Sequence, residues 1–144
     1  MPPNTEPADD RFPGFAVGQW AEHRKTVTEA DVVLYAGITG DFNPVHMDAV
    51  AAAASSFGER IAHGMLTAGF ISAALAMKLP GPGAVYLSQS LQFLRPVRIG
   101  DTVIARVEIT EVLPEQRRLR LSTRCLNQKG KVVVDGEAVV LVPA

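Results

Sequence analysis

Residues 41–46 contain three side chains that can hold or transfer a proton. Asp41 supplies a carboxylate, Asn43 an amide and His46 an imidazole, and Pro44 lies among them. On a continuous helix, Asp41 and His46 would point roughly 140° apart. Because Pro44 disfavours a helix and favours an extended Asn43, we expect a bent loop in which the carboxylate and the imidazole converge. The Asn43 amide is then available to hold one of them by a hydrogen bond.

A converged pair of this kind can perform general acid–base chemistry. An ionised aspartate and a neutral histidine can together orient a water molecule, accept its proton and return a proton to a neighbouring atom at neutral pH. The same spacing also fits a structural role, in which Asp41 forms an Asx turn, Asn43 and Pro44 initiate a turn and His46 precedes a helix. The spacing alone leaves both interpretations open.

A second chemical feature begins at Gly64, the first residue of the most apolar stretch, residues 64–79, in which Lys78 is the only charged residue. The first backbone N–H groups of a helix lack partners within the helix and lie at its positive end, so they can bind a developing oxyanion. Gly64 would let a carbonyl oxygen approach this backbone, although a purely geometric need for glycine explains it equally well. His63, directly before it, is interpreted as structural.

Two positions further along this helix are candidates for contact with a substrate. Ser72 is a hydroxyl among apolar residues, and it either bonds the backbone one turn earlier, touches a substrate or positions Asp41 or His46. Leu75 lies three residues later on the same helix face. Core packing is the alternative for Leu75.

The composition indicates one globular domain and excludes several classes of partner. The chain has 144 residues, too few for a second full domain, and 47% of them are hydrophobic. Fourteen Lys and Arg against fifteen Asp and Glu give a formal charge of −1, which leaves no positive excess for nucleic acid or a membrane surface. As a helix, residues 64–79 would span roughly 24 Å, too short for a bilayer core.

Residues 1–13 and 14–144 differ in character. The first segment is polar and proline-rich, unlike a signal peptide or an anchor, and we expect a flexible N-terminal tail. The second carries the periodic patterns of one folded domain. Its single cysteine, Cys125, excludes an intramolecular disulfide and a cysteine-based zinc site, and is interpreted as core packing. These features favour a reducing, cytoplasmic location.

The helices before residue 64 have clear boundary signals. Thr28 and Asp31 resemble a capping pair at the start of a helix that ends at Gly37 or Gly40. Asp48 is expected to cap a short alanine-rich helix over residues 49–56.

After the turn at residues 80–83, the hydrophobic period changes from 3.6 to 2. Strands with one core-facing side are predicted over residues 85–93, 102–109, 118–125 and 132–142, and residues 15–27 favour one bent edge strand. Consecutive strands without intervening helices indicate an antiparallel sheet, and the helix before them is hydrophobic on nearly all sides. We therefore expect an α+β fold in which a curved antiparallel sheet wraps around a central buried helix, and a dimer that pairs exposed edges.

Several stretches together resemble the MaoC-like (R)-specific enoyl-CoA hydratases. They are Asp41-Phe42-Asn43-Pro44-Val45-His46, His63-Gly64-Met65-Leu66, Ser72, and the run from Tyr86-Leu87-Ser88-Gln89-Ser90-Leu91-Gln92-Phe93 through Pro96, Gly100 and Asp101. The similarity extends from about Val27 to the C terminus. It implies a single hot-dog domain, a homodimer with a joined sheet, and reversible hydration of trans-2-enoyl-CoA to (R)-3-hydroxyacyl-CoA with no cofactor and no metal.

The same resemblance implies roles for individual residues. It places the catalytic pair on Asp41 and His46, the supporting serine on Ser72 and the oxyanion donor on the Gly64 backbone N–H. Asp41 is favoured as the base and His46 as the acid, in an order that the sequence does not set. Asn43 and Leu75 are the candidate substrate-binding residues, and Leu79 can extend an acyl slot beyond Ser72.

The thioester carrier and the type of activity leave alternatives. Arg24, Lys78, Arg95 and Arg98 can meet coenzyme A phosphates or form a solvated face. A basic patch that includes Arg118 would favour acyl carrier protein, and with it a 3-hydroxyacyl dehydratase of the same fold. A thioesterase and a non-catalytic acyl-CoA-binding module are further alternatives, because a fold alone does not decide function.

Overall fold

The computed structural model describes residues 12–144, so residues 1–11 of the expected tail lie outside the described residues. Phe12, near the end of that tail, is buried in the core. Its ring packs edge-on against Phe15, with 5.1 Å between ring centroids. The Arg117 guanidinium lies 4.7 Å from the centre of the same ring. The packed domain therefore includes Phe12.

Four α-helices precede most of the sheet in the described part of the chain: α1 (Glu29–Thr39), α2 (Pro44–Met47), α3 (Ala49–Ala53) and α4 (Gly64–Met77). The predicted capping pair is confirmed, because Thr28 and Asp31 form a reciprocal capping box at the start of α1. Gly40 ends this helix with φ of 84°, a conformation that glycine adopts without strain. Asp48 caps α3, which ends three residues earlier than expected.

Six strands form one antiparallel sheet within residues 12–144: β1 (Trp20–Thr26), β2 (Val85–Gln89), β3 (Gln92–Phe93), β4 (Thr102–Leu113), β5 (Arg118–Leu126) and β6 (Val132–Leu141). The order is β1-β4-β5-β6-β2, and β3 also pairs with β6. β1 is an edge strand, as predicted. The sheet does not close, so β1 and β2 leave two edges.

Helix α4 packs against the inner face of this sheet and confirms the predicted α+β architecture. Its buried side chains include Phe70, Ile71 and Leu75. The strands contribute their alternate residues to the same core, namely Val103, Ala105, Val107, Ile109, Leu119, Leu121, Cys125, Val133, Val134, Ala138 and Val140. None of the helices in the described residues is long and apolar enough to cross a membrane.

The prediction of one core-facing strand over residues 85–93 is wrong in two respects. The chain forms two strands, β2 and β3, with Ser90 and Leu91 between them. Val85 and Leu87, expected in the core, are 43% and 42% exposed, because β2 lies at the edge of the sheet. Between β2 and β3 the chain runs beside β6, where a Cβ on Gly136 would lie 1.9 Å from the Ser90 carbonyl oxygen, so this close approach requires glycine.

Candidate active site

The segment that contains Asp41 and His46 is not the helix-free loop that Pro44 led us to expect. Pro44 instead occupies the first position of α2, where its missing N–H costs no hydrogen bond and its fixed φ suits a helix. Asp41 precedes this short helix and His46 lies within it, so the two side chains are not held on one helical face. A carboxylate oxygen of Asp41 and a ring nitrogen of His46 lie within 4.8 Å of each other.

Local hydrogen bonds fix the Asp41 backbone and carboxylate. The Asn43 backbone N–H donates to Asp41 Oδ1 at 3.2 Å. The Asp41 N–H donates to Thr39 Oγ1 at 3.3 Å. The Asn43 side chain caps α2 by accepting the Val45 N–H at 3.2 Å. Asn43 thus holds Asp41 through its backbone, whereas the sequence suggested its side-chain amide.

His46 is buried and held with one ring edge against the backbone. Its Nδ1 lies 2.8 Å from the Ile61 carbonyl oxygen. A carbonyl oxygen only accepts hydrogen bonds, so Nδ1 carries the proton and Nε2 of the neutral ring carries a lone pair. The His46 carbonyl accepts Arg60 Nε at 2.6 Å, and Arg60 also pairs with Glu29 at 2.8 Å. Arg60, which sequence reasoning missed, thus ties His46 to the start of α1.

His63 joins the pair, although the sequence suggested only a structural role for it. Its ring centroid lies 4.0 Å from that of His46 and 4.5 Å from that of Tyr35. His63 Nε2 donates to the Asp41 carbonyl oxygen at 2.9 Å. Its Nδ1 is buried and has no hydrogen-bond partner among residues 12–144. The one sequence signal was its place directly before Gly64.

Asp41, His46 and His63 each offer a group that can bind a metal ion, and these groups lie within 4.8 Å of one another. The two imidazoles lie 4.0 Å apart and are tilted by 31°. One nitrogen of each ring bonds a backbone carbonyl, His46 Nδ1 to Ile61 and His63 Nε2 to Asp41. The remaining nitrogen of each ring and the Asp41 carboxylate can hydrogen-bond a small molecule.

A cavity of about 490 Å³ places the acid–base pair beside the start of α4. Its lining includes Asp41, His46, Gly64, Phe93 and Arg95. Gly64 has a steric reason to lack a side chain, because a Cβ there would lie 2.7 Å from Phe93 Cδ1. This contact agrees with a geometric need for glycine, the alternative that the sequence left open, while Gly64 itself lines the cavity at the N terminus of α4.

Ser72 and Leu75 lie apart from this cavity. Ser72 lines a second cavity of about 360 Å³ between α4 and β2. Met65 lines both cavities and so marks where they adjoin. Leu75 is 2% exposed and packs in the core. The structure thus brings Asp41, His46 and Gly64 together and places Ser72 along the helix from them.

Two buried residues, Thr67 of α4 and Cys125 of β5, have polar groups whose surroundings the sequence did not predict. Thr67 lines the first cavity, and its Oγ1 has no hydrogen-bond partner within residues 12–144. The Cys125 thiol lies 3.7 Å from the Thr67 carbonyl oxygen and donates to it. Burial raises the pKa of the Cys125 thiol to about 12, so this sulfur stays protonated at neutral pH.

The basic side chains suggested as phosphate-binding groups differ in the partners that they already contact. Arg98 pairs with Glu59 at 3.2 Å. Lys78 Nζ donates to the Glu22 carbonyl at 2.5 Å. Arg95 lines the first cavity and donates to the Val132 carbonyl at 2.7 Å, and no carboxylate within residues 12–144 pairs with it. Arg95 is therefore the cation best placed to meet an anionic part of a ligand.

Comparison with known proteins gives one consistent result. Residues 16–128 match the model of the MaoC-like domain. The chain is 51% identical over 133 residues to an (R)-specific enoyl-CoA hydratase of Rhodospirillum rubrum, covering 92% of each chain. It is 52% identical over 132 residues to a 3-hydroxybutyryl-CoA dehydratase of Methylorubrum extorquens, covering 92% of this chain and 83% of that protein.

A solved structure shares the fold. The (R)-hydratase from A. caviae, involved in PHA biosynthesis, superposes with a TM-score of 0.88 at 43% sequence identity. The match covers 91% of this chain and 99% of that one.

Proposed function

Because this chain belongs to the MaoC-like family, we propose that it is an (R)-specific enoyl-CoA hydratase, a hydro-lyase with the hot-dog fold. It adds water reversibly to trans-2-enoyl-CoA and forms (R)-3-hydroxyacyl-CoA. One observation carries this proposal at the level of chemistry. The Asp41 carboxylate and the His46 imidazole lie within 4.8 Å of each other, in a cavity that also reaches the first residue of α4.

The separation between Asp41 and His46 suits a single bridging water. Two hydrogen bonds of about 2.8 Å each can span up to roughly 5.6 Å. A water between the two groups can therefore donate one hydrogen bond to the Asp41 carboxylate and the other to the lone pair on His46 Nε2. Its oxygen is then free to attack C3 of an enoyl thioester.

The position of the proton on the His46 ring supports a larger role for His46 than the sequence suggested. The neutral ring, with its proton on Nδ1, accepts a water proton at Nε2 as the oxygen attacks C3. The resulting imidazolium returns that proton to C2, which completes the addition of H and OH. Asp41 holds the second hydrogen of the water and stabilises the imidazolium. Asp41 therefore orients and stabilises, whereas the sequence favoured it as the base.

The start of α4 supplies the electrophilic part of the mechanism. Attack at C3 places negative charge on the thioester oxygen, and the Gly64 backbone N–H can stabilise it. Asn43 maintains the Asp41 conformation through its backbone. Ser72 lies along the helix, where it can contact the acyl chain in the second cavity. The addition of water transfers no electrons, so the reaction balances without a redox cofactor.

Replacement of the acid–base pair tests the mechanism. We expect Asp41→Asn and His46→Gln each to lower kcat on crotonyl-CoA by at least about 10²-fold, because each removes a group that acts on the water. The double variant should lose far less than the product of the two effects. Asp135→Asn, on an exposed ion pair with Arg124 at 3.4 Å, is the control. Near wild-type turnover in either single variant would contradict the assignment.

The product identifies the reaction. Loss of the conjugated enoyl absorbance together with an (R)-3-hydroxyacyl-CoA product is expected. Release of free thiol would instead indicate a thioesterase. Binding of acyl-CoA with no turnover at any chain length would indicate a non-catalytic binding module.

Coenzyme A is assigned as the carrier of the acyl group, on the basis of the position of Arg95. This side chain lines the cavity and can reach a phosphate, so Arg95→Gln should raise KM for crotonyl-CoA with little change in kcat. The same variant should leave turnover of crotonyl-pantetheine, which has no phosphate, unchanged. Faster wild-type turnover on crotonyl-acyl carrier protein than on crotonyl-CoA would favour the dehydratase alternative.

Leu75 is assigned as the limit to acyl chain length. It lies three residues beyond Ser72 on the face of α4 that turns towards the core. Leu75 does not line the cavity beside Ser72 but packs in the core one turn of α4 beyond it. Leu75→Ala should raise the ratio of kcat/KM for octenoyl-CoA to that for crotonyl-CoA, because it vacates space in the core beyond Ser72 for a longer acyl chain. An unchanged ratio in a folded variant would place the limit elsewhere.

The protein is further assigned as a cytoplasmic homodimer. The dimer is supported by β2, a sheet edge with apolar side chains exposed along it. The single reduced cysteine, Cys125, agrees with a reducing compartment.

A further inference from the structure

The His63 side chain is buried beside the acid–base pair, yet no step of the proposed reaction uses it. It is 2% exposed. It contacts Asp41 through a hydrogen bond of 2.9 Å and His46 through ring stacking at 4.0 Å. It also directly precedes Gly64, the proposed oxyanion donor. One residue thus touches all three parts of the proposed site.

We propose that His63 is a positioning residue that fixes the position of Asp41 and His46 relative to the Gly64 N–H. This inference rests on the proposed function and extends it. The hydrogen bonds of the Asp41 N–H to Thr39 Oγ1 and of the Asn43 N–H to the Asp41 carboxylate are local, two residues away in each direction. The bond from His63 crosses 22 residues of sequence and joins the Asp41 segment to the start of α4.

The start of α4 is a rigid support for this arrangement. The His63 carbonyl accepts the N–H groups of Leu66 and Thr67 at 3.1 and 3.3 Å, which makes His63 the N-cap of α4. Thr67 and Ile71 anchor the helix in the core. A shift of about 1 Å between reacting groups can lower a rate about 100-fold, so a rigid link between acid–base pair and oxyanion donor has a direct kinetic effect.

Stacking on His63 also restricts the His46 ring. The Nδ1 bond to Ile61 holds one edge of that ring. The His63 ring covers one face of it, at 4.0 Å and 31° between planes. A side chain with no planar group at this position would leave the face of His46 less closely covered, so that His46 can rotate and lose the Nδ1 bond. The water would then no longer have His46 Nε2 as its acceptor beside the Asp41 carboxylate.

Two substitutions separate positioning from simple packing. His63→Leu keeps a buried apolar side chain but removes both the donor to the Asp41 carbonyl and the planar group that covers His46, whereas the amide of His63→Gln is planar. His63→Gln places an amide N–H the same number of bonds from Cα as His Nε2, so it can donate to the same oxygen. His23 provides a matched control, because its ring also packs on an aromatic ring, that of Phe70 at 6.1 Å, outside the site.

The kinetic test uses crotonyl-CoA and the full chain. His63→Leu should lower kcat at least tenfold while KM changes less than about twofold, and His63→Gln should recover kcat to within about threefold of wild type. The same two substitutions at His23 should leave kcat within about twofold. Equal losses in His63→Leu and His63→Gln, or a loss that follows the melting temperature across both sites, would overturn the proposal.

A spectroscopic test does not depend on activity. The chain has three histidines, so long-range ¹H–¹⁵N spectra can be assigned from the variants. We expect a proton on Nδ1 of His46 and on Nε2 of His63 in the wild type, loss of the single His46 tautomer in His63→Leu, and its retention in His63→Gln. An unchanged His46 tautomer in His63→Leu would overturn the proposal. These signals without hydration by the wild type would refute the proposed function and leave the positioning by His63 standing.

Discussion

The first residue of α4, Gly64, packs so closely against the Phe93 ring that it has no room for a side chain. A Cβ at this position would lie 2.7 Å from Cδ1 and 2.8 Å from Cε1 of Phe93. Phe93 is about half exposed, so its ring can move and the fold should survive Gly64→Ala. We expect kcat/KM on crotonyl-CoA to fall at least tenfold, because the ring and the first turn of α4 must separate at the proposed binding place of the thioester oxygen.

Removing the Phe93 ring tests this steric cause. In the variant Gly64→Ala/Phe93→Leu, the smaller side chain can avoid the new methyl group, and most of the activity should return. Phe93→Leu alone is the control for loss of the ring. Failure of the double variant to regain activity over Gly64→Ala would contradict a steric origin of the defect.

At the residue scale, the sequence was a better guide to which side chains gather at the candidate site than to which residues each of them contacts. Asp41 and His46 converge as expected, because a proline between them prevents one continuous helix. Pro44 itself was misjudged, since it starts α2 rather than preventing a helix. The roles of His63 and Arg60 could not be predicted, because their contacts join segments 22 and 14 residues apart.

At the scale of elements, the stability of α1 depends on the hydrogen bonds at its first turn. The Asp31 carboxylate accepts the Thr28 N–H at 2.9 Å and pairs with Lys25 at 2.6 Å. Partial burial raises the pKa of this carboxyl, but the hydrogen bonds from Lys25 and Thr28 outweigh it and hold the pKa below the ordinary 3.8. Asp31→Asn should therefore lower the free energy of unfolding by about 1 kcal/mol at neutral pH.

The lowered pKa of Asp31 also predicts the pH range of this effect. A carboxyl whose pKa is lower in the folded state stabilises the fold above its unfolded pKa, and loses that effect as pH falls through the folded pKa. The difference in unfolding free energy between wild type and Asp31→Asn should therefore shrink below about pH 4. Denaturant titrations at pH 7 and pH 3 measure it. A difference that grows on acidification would contradict the assignment.

The close approach of the β2–β3 connection to β6 gives a second prediction for the elements. Gly136→Ala would place a methyl group 1.9 Å from the Ser90 carbonyl oxygen, which belongs to the backbone and cannot rotate away. We expect a loss of at least about 2 kcal/mol in unfolding free energy. Gly37→Ala, inside α1 with nothing within 4 Å of the new Cβ, is the matched control. It should stabilise the protein by about 0.5–1 kcal/mol.

The elements that were predicted well are those whose burial follows local periodicity. β4 and β5 alternate buried residues with mostly half-buried ones along most of their length, and the valines and leucines of the sequence follow that pattern. β2 has the same alternation but lies at an edge. Its apolar residues mark a surface rather than the core of one chain, and a hydrophobic period cannot distinguish these two cases.

At the scale of the whole molecule, six of the fourteen exposed large apolar residues in the described part of the chain lie around β2, β3 and the start of α4. They are Met65, Val85, Tyr86, Leu87, Phe93 and Leu94, each between 40% and 53% exposed. Apolar surface of this kind next to an unpaired strand is typical of a subunit interface. Pairing of β2 with the β2 strand of a second copy would satisfy the open backbone groups and cover these side chains.

This arrangement predicts a dimer that one charge can dissociate. Light scattering should give twice the 15.4 kDa mass of the chain for the wild type. Leu87→Glu should give the single-chain mass, because two buried carboxylates would face each other across the two-fold axis without partners. Val50→Glu introduces the same charge at an apolar residue of α3 that is 83% exposed, and it should remain a dimer. If Leu87→Glu kept the wild-type mass while Val50→Glu dissociated, the subunits would have to meet through the helices rather than through the β2 edge.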